Sequence, residues 1–116
     1  MTELDRSAIE SIIRWAKSHD SILEVWLFGS RMTGARDASS DIDVAILLKP
    51  GGDALGLYVA KQEEWQKALT AMLPFRADLR ATQEDHPSYP KLFSGTGPYK
   101  GARRVWARGV RREPPV

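Results

Sequence analysis

Residues 27–48 read LFGSRMTGARDASSDIDVAILL, and the order of apolar and polar residues in this stretch indicates both a fold and a site. Gly29 and Ser30 end one apolar run, and the acids Asp41 and Asp43 begin the next. Side chains two residues apart on a strand point to the same side, so these two carboxylates should face together. Such carboxylates repel each other and lose hydration, a cost that a bound cation or a basic partner offsets. The stretch therefore predicts two neighbouring strands with a polar site at one end.

Five segments carry the periodicity of regular structure. Two have apolar residues at helical spacing, and three are rich in apolar, β-forming types or alternate apolar with polar residues. Their order, α-β-turn-β-α-β, predicts a small α/β (α+β) domain in which helices flank a small sheet. The segments are helices at residues 4–18 and 54–73 and strands at residues 21–28, 41–48 and 75–81.

Asp78 is a third candidate for the polar site. It lies on the charged face of the third predicted strand, FRADLRA, between Arg76 and Arg80. If that strand lies beside Asp41 and Asp43, three carboxylates converge, and such a set suits a hard divalent ion such as Mg2+. The alternative is an ordinary surface acid paired with one of the two arginines.

The turn that begins at Gly29 has the residue types of a phosphate-binding loop. Glycine lets a main chain pass close to phosphate oxygens, and the Ser30 hydroxyl and neighbouring N–H groups can donate to them. Arg31 can add a bidentate contact, and Gly34 lets the loop turn again. The alternative is a simple β-turn, followed by a loop-to-strand turn at Asp41. A phosphate loop beside a carboxylate cluster is the combination that metal-assisted nucleotidyl transfer requires.

The composition indicates the class of molecule. The chain has 116 residues, 42% of them hydrophobic, and no cysteine, which suits one small domain in a reducing cytoplasm and excludes thiolate metal sites. The longest purely apolar run is residues 44–48, so we expect neither a signal peptide nor a membrane span. We expect residues 1–86 to form the domain and residues 87–116 to be a Pro- and Gly-rich segment that is ordered in part at most.

Charge is divided unevenly along the chain. Residues 87–116 hold seven Lys or Arg and one acid, Glu113, so they carry +6 whereas residues 1–86 carry −4. One interpretation is an electrostatic arm that binds nucleic acid or an acidic partner. The other is a solvated terminus without a ligand.

The sequence GSRMTGARDASSDID, residues 29–43, resembles the signature of the DNA polymerase β-type nucleotidyltransferase superfamily: an apolar strand, Gly-Ser, ten residues, then Asp-x-Asp. The small size of the chain and the residue pattern GSRxxGxxxxxSDIDVAI are most similar to the minimal nucleotidyltransferases, the MNT family. The resemblance covers residues 5–80 and implies the nucleotidyltransferase fold. It implies that Gly29 and Ser30 hold the triphosphate. It also implies that Asp41 and Asp43 bind two Mg2+ ions and that Asp78 helps to activate the attacking hydroxyl.

The resemblance further implies transfer of a nucleoside monophosphate, AMP if ATP is the substrate, to a hydroxyl acceptor. Many small members of this family are antitoxin partners of HEPN-domain toxins, and some transfer AMP to a tyrosine of the toxin. We therefore expect a HEPN-type toxin as the partner, and Trp26, Trp65 and the basic segment would add contacts if exposed. Two alternatives stay open: a catalytically weak antitoxin that neutralises its toxin by binding alone, and a transferase that acts on an antibiotic.

Overall fold

The computed structural model describes residues 3–29 and 41–114, with side chains from Arg6 onward. Each element that the sequence predicted is present close to its expected bounds. Within these ranges no helix has both the length and the apolar character needed to span a membrane. In chain order the elements are α1 (Glu3–Lys17), β1 (Ile22–Phe28), β2 (Ile42–Leu48), α2 (Gly52–Met72), β3 (Ala77–Thr82), α3 (Ser88–Ser94), a 3-10 helix (Gly97–Tyr99) and β4 (Arg103–Ala107).

The strands form one mixed sheet in the order β3-β2-β1-β4. β1 is antiparallel to both β2 and β4, whereas β2 and β3 are parallel. A parallel pair needs a crossover connection, and α2 provides it. The predicted mixed α/β class is therefore confirmed. This connectivity places the end of β1 beside the beginnings of β2 and β3.

Both faces of the sheet are covered, which explains why β1 and β2 are apolar along almost their whole length. On one face, alternate strand residues pack with α1 and α2, where Ile12, Trp65 and Leu69 are buried. On the other face, Trp26 packs with Leu92 of α3 and with partly buried residues around the 3-10 helix. The side chains of β1 and β2 are therefore buried, apart from Leu23 and Asp43, which are half-buried near one end of each strand.

Residues 88–107 contain regular structure that the sequence pattern did not predict. α3 packs on one face of the sheet, and β4 pairs with β1 to complete it. The five residues of β4, RRVWA, are exposed or half-exposed, and the pairing register shifts after Val25, so no clean alternation marks the strand. Residues 88–107 therefore hold more regular structure than the sequence pattern indicated. Phe93 and Tyr99 pack against one core cluster, and Trp106 packs against the other.

A buried carboxylate, Glu24 on β1, holds the C-terminal segment to the sheet. Its side chain is 1% exposed and accepts hydrogen bonds from Arg104 at 3.2 Å and from Arg111 at 2.6 Å. Trp26 Nε1 and the Tyr89 hydroxyl each donate to it at 2.9 Å. Burial raises the pKa of Glu24, but the hydrogen bonds from Arg111, Trp26 and Tyr89 outweigh burial and lower it. Glu24 is therefore a charged group whose partners come largely from the C-terminal part of the chain.

Further arginines of this basic segment also have partners within the fold. Arg108 donates to the main-chain carbonyls of Ile22, Ala16 and His19 at 3.0–3.3 Å. The guanidinium of Arg112 lies 4.2 Å from the centre of the Phe93 ring. Together with the arginines on Glu24, these contacts use four of the seven basic residues for internal structure. The positive charge of residues 87–116, which suggested an arm for nucleic acid, thus serves largely to attach this segment to the rest of the fold.

Candidate active site

The candidate site lies where the end of β1 meets the beginnings of β2 and β3. In the parallel β2–β3 pair, Asp43 is the register partner of Asp78. In the antiparallel β1–β2 pair, Asp43 is the partner of Phe28, the residue before Gly29. Partner residues on adjacent strands point to the same face, so the two carboxylates face together. The fold therefore brings Gly29, Asp43 and Asp78 together from three different strand ends.

Asp43 is half-buried, and its surroundings disfavour its charged form. Burial raises the pKa of Asp43, and the negative charge of Asp78 raises it further, with a smaller effect from Asp41. Arg80 acts in the opposite direction without cancelling these effects, and a hydrogen bond with Asp78 adds to the increase. The negative charge of Asp78 thus opposes ionisation of Asp43. A bound cation would relieve the repulsion between them.

Two arginines flank the carboxylates. Arg76 Nη1 donates to Asp41 Oδ2 at 3.0 Å, and Arg80 Nη2 lies 3.6 Å from Asp78 Oδ2. The Asp41 and Asp78 side chains are 44% and 35% exposed, so water screens both ion pairs and each contributes little to stability. The surface-acid interpretation of Asp78 thus has its expected partner in Arg80. That interpretation does not account for the position of Asp78 opposite Asp43.

Gly29 lies directly against the Asp43 carboxylate. Its φ is +90°, a conformation that side-chain-bearing residues rarely adopt. A Cβ built on Gly29 would overlap Oδ2 of Asp43 and lie 2.9 Å from its Cγ. No residue other than glycine therefore fits without moving the carboxylate, and the main chain leaves β1 in contact with the acidic site.

Gly29 and Asp41, the described residues that flank positions 30–40, both lie at this site. Ser30, Arg31 and Gly34 lie between them in the sequence, outside the described residues. Their predicted contacts with phosphate therefore stay predictions.

The carboxylate oxygens of Asp41, Asp43 and Asp78 are suitable ligands for a hard divalent cation. Carboxylate oxygens are the ligands that Mg2+ prefers, and a cation would offset the repulsion felt by Asp43. Within residues 3–29 and 41–114, however, no group of three acidic or histidine side chains has an arrangement ready to hold a metal ion. Asp41 pairs with Arg76 instead. Binding of an ion by all three aspartates would require the Asp41 side chain to exchange this arginine for the ion.

The structure shows the environment of several residues whose contacts the sequence left open or did not reveal. Trp26 and Trp65 are 1% and 6% exposed, so they belong to the core and cannot add contacts to a partner surface. The contact of Arg76 with Asp41 spans 35 residues and becomes visible only once β2 and β3 are known to be parallel neighbours. Tyr58 on α2 was assigned only to the apolar pattern of that helix. Burial raises the pKa of its phenol, and so does the charge of Asp78.

Comparison with known proteins agrees with this geometry. The sequence model of the family described as "Polymerase beta, Nucleotidyltransferase" matches residues 10–89, which include Gly29, Asp41, Asp43 and Asp78. No curated protein sequence matches the chain. Among solved structures, a Sulfolobus solfataricus protein assigned as a nucleotidyltransferase is similar, with a TM-score of 0.54 and 20% identity. The match covers 90% of this chain and 84% of that protein, and at this identity it shows a shared fold.

Proposed function

This chain belongs to the polymerase β nucleotidyltransferase family, and we propose that it transfers a nucleoside monophosphate, AMP from ATP, to a hydroxyl group in a Mg2+-dependent reaction. The observation that carries the proposal is the register pairing of Asp43 with Asp78, with Gly29 in contact with the Asp43 carboxylate. An ordinary pair of surface acids does not need a glycine packed against it. A site that receives phosphate and a cation does.

Three side chains, Asp41, Asp43 and Asp78, would hold the metal, and we propose two Mg2+ ions. When bound, Mg2+ would offset the negative charge of the phosphate oxygens and of the departing pyrophosphate. The half-buried position of Asp43 supports this assignment, because its carboxylate is repelled by Asp78 when no cation is bound.

The proposed reaction exchanges one phosphorus–oxygen bond for another. The acceptor oxygen bonds to the α-phosphorus while the bond from that phosphorus to the oxygen bridging the β-phosphate breaks, and pyrophosphate leaves with the electron pair. The hydroxyl proton passes to Asp78 or to a water molecule that Asp78 orients. Gly29 lets the loop that follows it begin close to the carboxylates, so that its N–H groups and the Ser30 and Arg31 side chains can bind the phosphates.

For the acceptor we propose a tyrosine of a HEPN-type toxin in the cytoplasm, with this chain as its antitoxin. The support is the resemblance to minimal nucleotidyltransferases. The buried Trp26 and Trp65 cannot form the contact surface, so another surface must receive the partner.

A second candidate function is neutralisation of the toxin by binding alone. The observation that favours a protein partner is an exposed apolar patch on the first half of α2: Leu55 and Val59, one helical turn apart, are 45% and 62% exposed. Tyr58 lies in the same turn of α2, and the pKa of its phenol is raised by burial and by the charge of Asp78. Exposed apolar patches of this kind commonly mark protein interfaces. A toxin bound there could bring its hydroxyl group to Asp78 for transfer. It could instead be neutralised because this chain covers its surface.

The deciding experiment is co-purification of the native complex, followed by incubation with ATP and Mg2+. Transfer predicts release of pyrophosphate and a mass gain of one AMP residue on the partner. Asp43→Asn should abolish both, whereas Asp85→Asn, at an exposed acid in the turn after β3, should not. A partner that binds tightly through the α2 patch and never changes mass supports the binding function instead. In that case Val59→Asp should release the partner and Ala60→Asp should not.

A further inference from the structure

Asp78 lies on an edge strand, so neighbouring main chain supports it from one side only. The sheet order leaves the outer edge of β3 without a strand partner among the described residues. Along such an edge, every second residue presents an N–H and a C=O group away from the sheet. Helix α2 covers this edge, and two of its side chains bind the exposed groups.

The side-chain amide of Gln66 makes the main contacts. Its Oε1 accepts a hydrogen bond from the N–H of Leu79 at 2.7 Å, and its Nε2 donates to the carbonyl of Ala77. Thr70 Oγ1 accepts from the N–H of Ala77 at 3.3 Å. These hydrogen bonds go to the two residues that flank Asp78. Gln66 thus takes the place that a neighbouring strand would occupy.

This arrangement holds the main chain on both sides of Asp78. Because peptide groups alternate in direction along a strand, those of Asp78 face β2 while those of Ala77 and Leu79 face α2. The hydrogen bond from the Ile42 N–H to the Arg76 carbonyl, 2.9 Å, follows the same alternation. The backbone at Asp78 therefore cannot move away from Asp43 without breaking contacts either with β2 or with Gln66.

We propose that Gln66 is a positioning residue for Asp78: its amide holds β3 so that the Asp78 carboxylate stays opposite Asp43. The inference rests on the nucleotidyl transfer proposed above. A displacement of about 1 Å at a reacting group can lower a rate by about a hundredfold. Loss of the Gln66 amide should therefore lower kcat much more than it weakens the binding of ATP.

Three variants test the proposal in the co-purified complex, with pyrophosphate release as the assay. Gln66→Leu removes both hydrogen bonds and keeps much of the side-chain volume. Gln66→Glu keeps an acceptor for the Leu79 N–H and loses the donor to Ala77. Gln62→Leu, at an exposed position of the same helix, is the matched control. We expect kcat to fall by about tenfold or more in Gln66→Leu, with KM for ATP within about twofold, and to fall less in Gln66→Glu.

A double variant separates positioning from general structural support. If Gln66 acts through Asp78, Gln66→Leu should lower turnover little further once Asp78→Asn is present. Equal loss in both backgrounds would overturn the proposal, as would a Gln66→Leu enzyme as active as Gln62→Leu. Should Gln66→Leu fail to fold, Gln66→Glu allows the same comparison. If the wild-type complex releases no pyrophosphate, the proposed function fails and this inference with it; an active wild type with an unaffected Gln66→Leu overturns the inference alone.

Discussion

Asp43 and Asp78 are register partners across the parallel β2–β3 pair, and the charge of Asp78 makes ionisation of Asp43 less favourable. The native fold therefore keeps repulsion between two carboxylates at the end of the sheet. Stability alone would favour their separation or neutralisation. A site that binds a cation can use this repulsion, because the ion removes it on binding.

Asp43→Asn should not destabilise the protein at neutral pH in the absence of divalent ions. The pKa of Asp43 is raised above 3.8, so the stability associated with its protonated form is present below pH 3.8 and is lost as the pH rises through the folded-state pKa. The neutral amide avoids this loss. Thermal unfolding should show a Tm equal to or above that of the wild type at pH 7, with the difference shrinking toward pH 3.8. A clearly lower Tm at pH 7 would contradict the unfavourable ionisation of Asp43 in the folded protein.

Gly29→Ala should both destabilise the fold and disrupt the site. The positive φ disfavours alanine by about 1–2 kcal/mol, and the new Cβ would displace the Asp43 carboxylate. Gly51→Ala is the matched control, since Gly51 has a φ of +102° and open space around its Cβ. Chemical denaturation should show a larger loss at Gly29 than at Gly51. Addition of Asp43→Ala should recover the difference between them; equal losses at both glycines would mean that the close approach to Asp43 has no energetic consequence.

Asp78→Asn should lower turnover more than nucleotide binding. Its proposed part is to direct the proton of the acceptor hydroxyl, and that contribution is made mainly in the transition state. Steady-state pyrophosphate release should give a reduced kcat with little change in KM for ATP. Unchanged turnover would return Asp78 to the role of a surface acid paired with Arg80.

Glu24→Gln should destabilise the attachment of the C-terminal segment. Removing one partner of a buried ion pair typically costs about 3–5 kcal/mol, and Glu24 binds both Arg104 and Arg111. Because the pKa of Glu24 is lowered from 4.5, its stabilising effect is present above pH 4.5 and is lost as the pH falls through the folded-state pKa. The difference in unfolding free energy between wild type and variant should therefore narrow in acid. Glu84→Gln, at an exposed partner of Arg111, should have a small effect at any pH.

Sequence periodicity predicted the elements from α1 to β3 because each has a long apolar face or a clear alternation. β4 was not predicted because its partner strand and the buried Glu24 that pairs with Arg104 are not visible from the local pattern. The positive charge of residues 87–116 was a poor guide to their structure for a related reason. A run of arginines predicts a solvated arm only when no buried acid elsewhere in the chain receives them.

The candidate site could be predicted in its residue types and not in its contacts. The spacing of Gly29, Asp41 and Asp43 and the alternation around Asp78 placed these residues on strand ends. The ion pair of Asp41 with Arg76 and the amide of Gln66 beside Asp78 depend on the parallel register and on how α2 lies along β3. Such contacts arise from tertiary packing, so no short sequence pattern reports them.

The most direct test of the central claim is the affinity of the purified chain for a non-hydrolysable ATP analogue, measured by calorimetry with and without Mg2+. Binding that strengthens with Mg2+ in the wild type and in Asp85→Asn, and loses this dependence in Asp43→Asn, is the result expected for a metal–nucleotide site at Asp43. Affinity that is the same with and without Mg2+, and unchanged by Asp43→Asn, would contradict it.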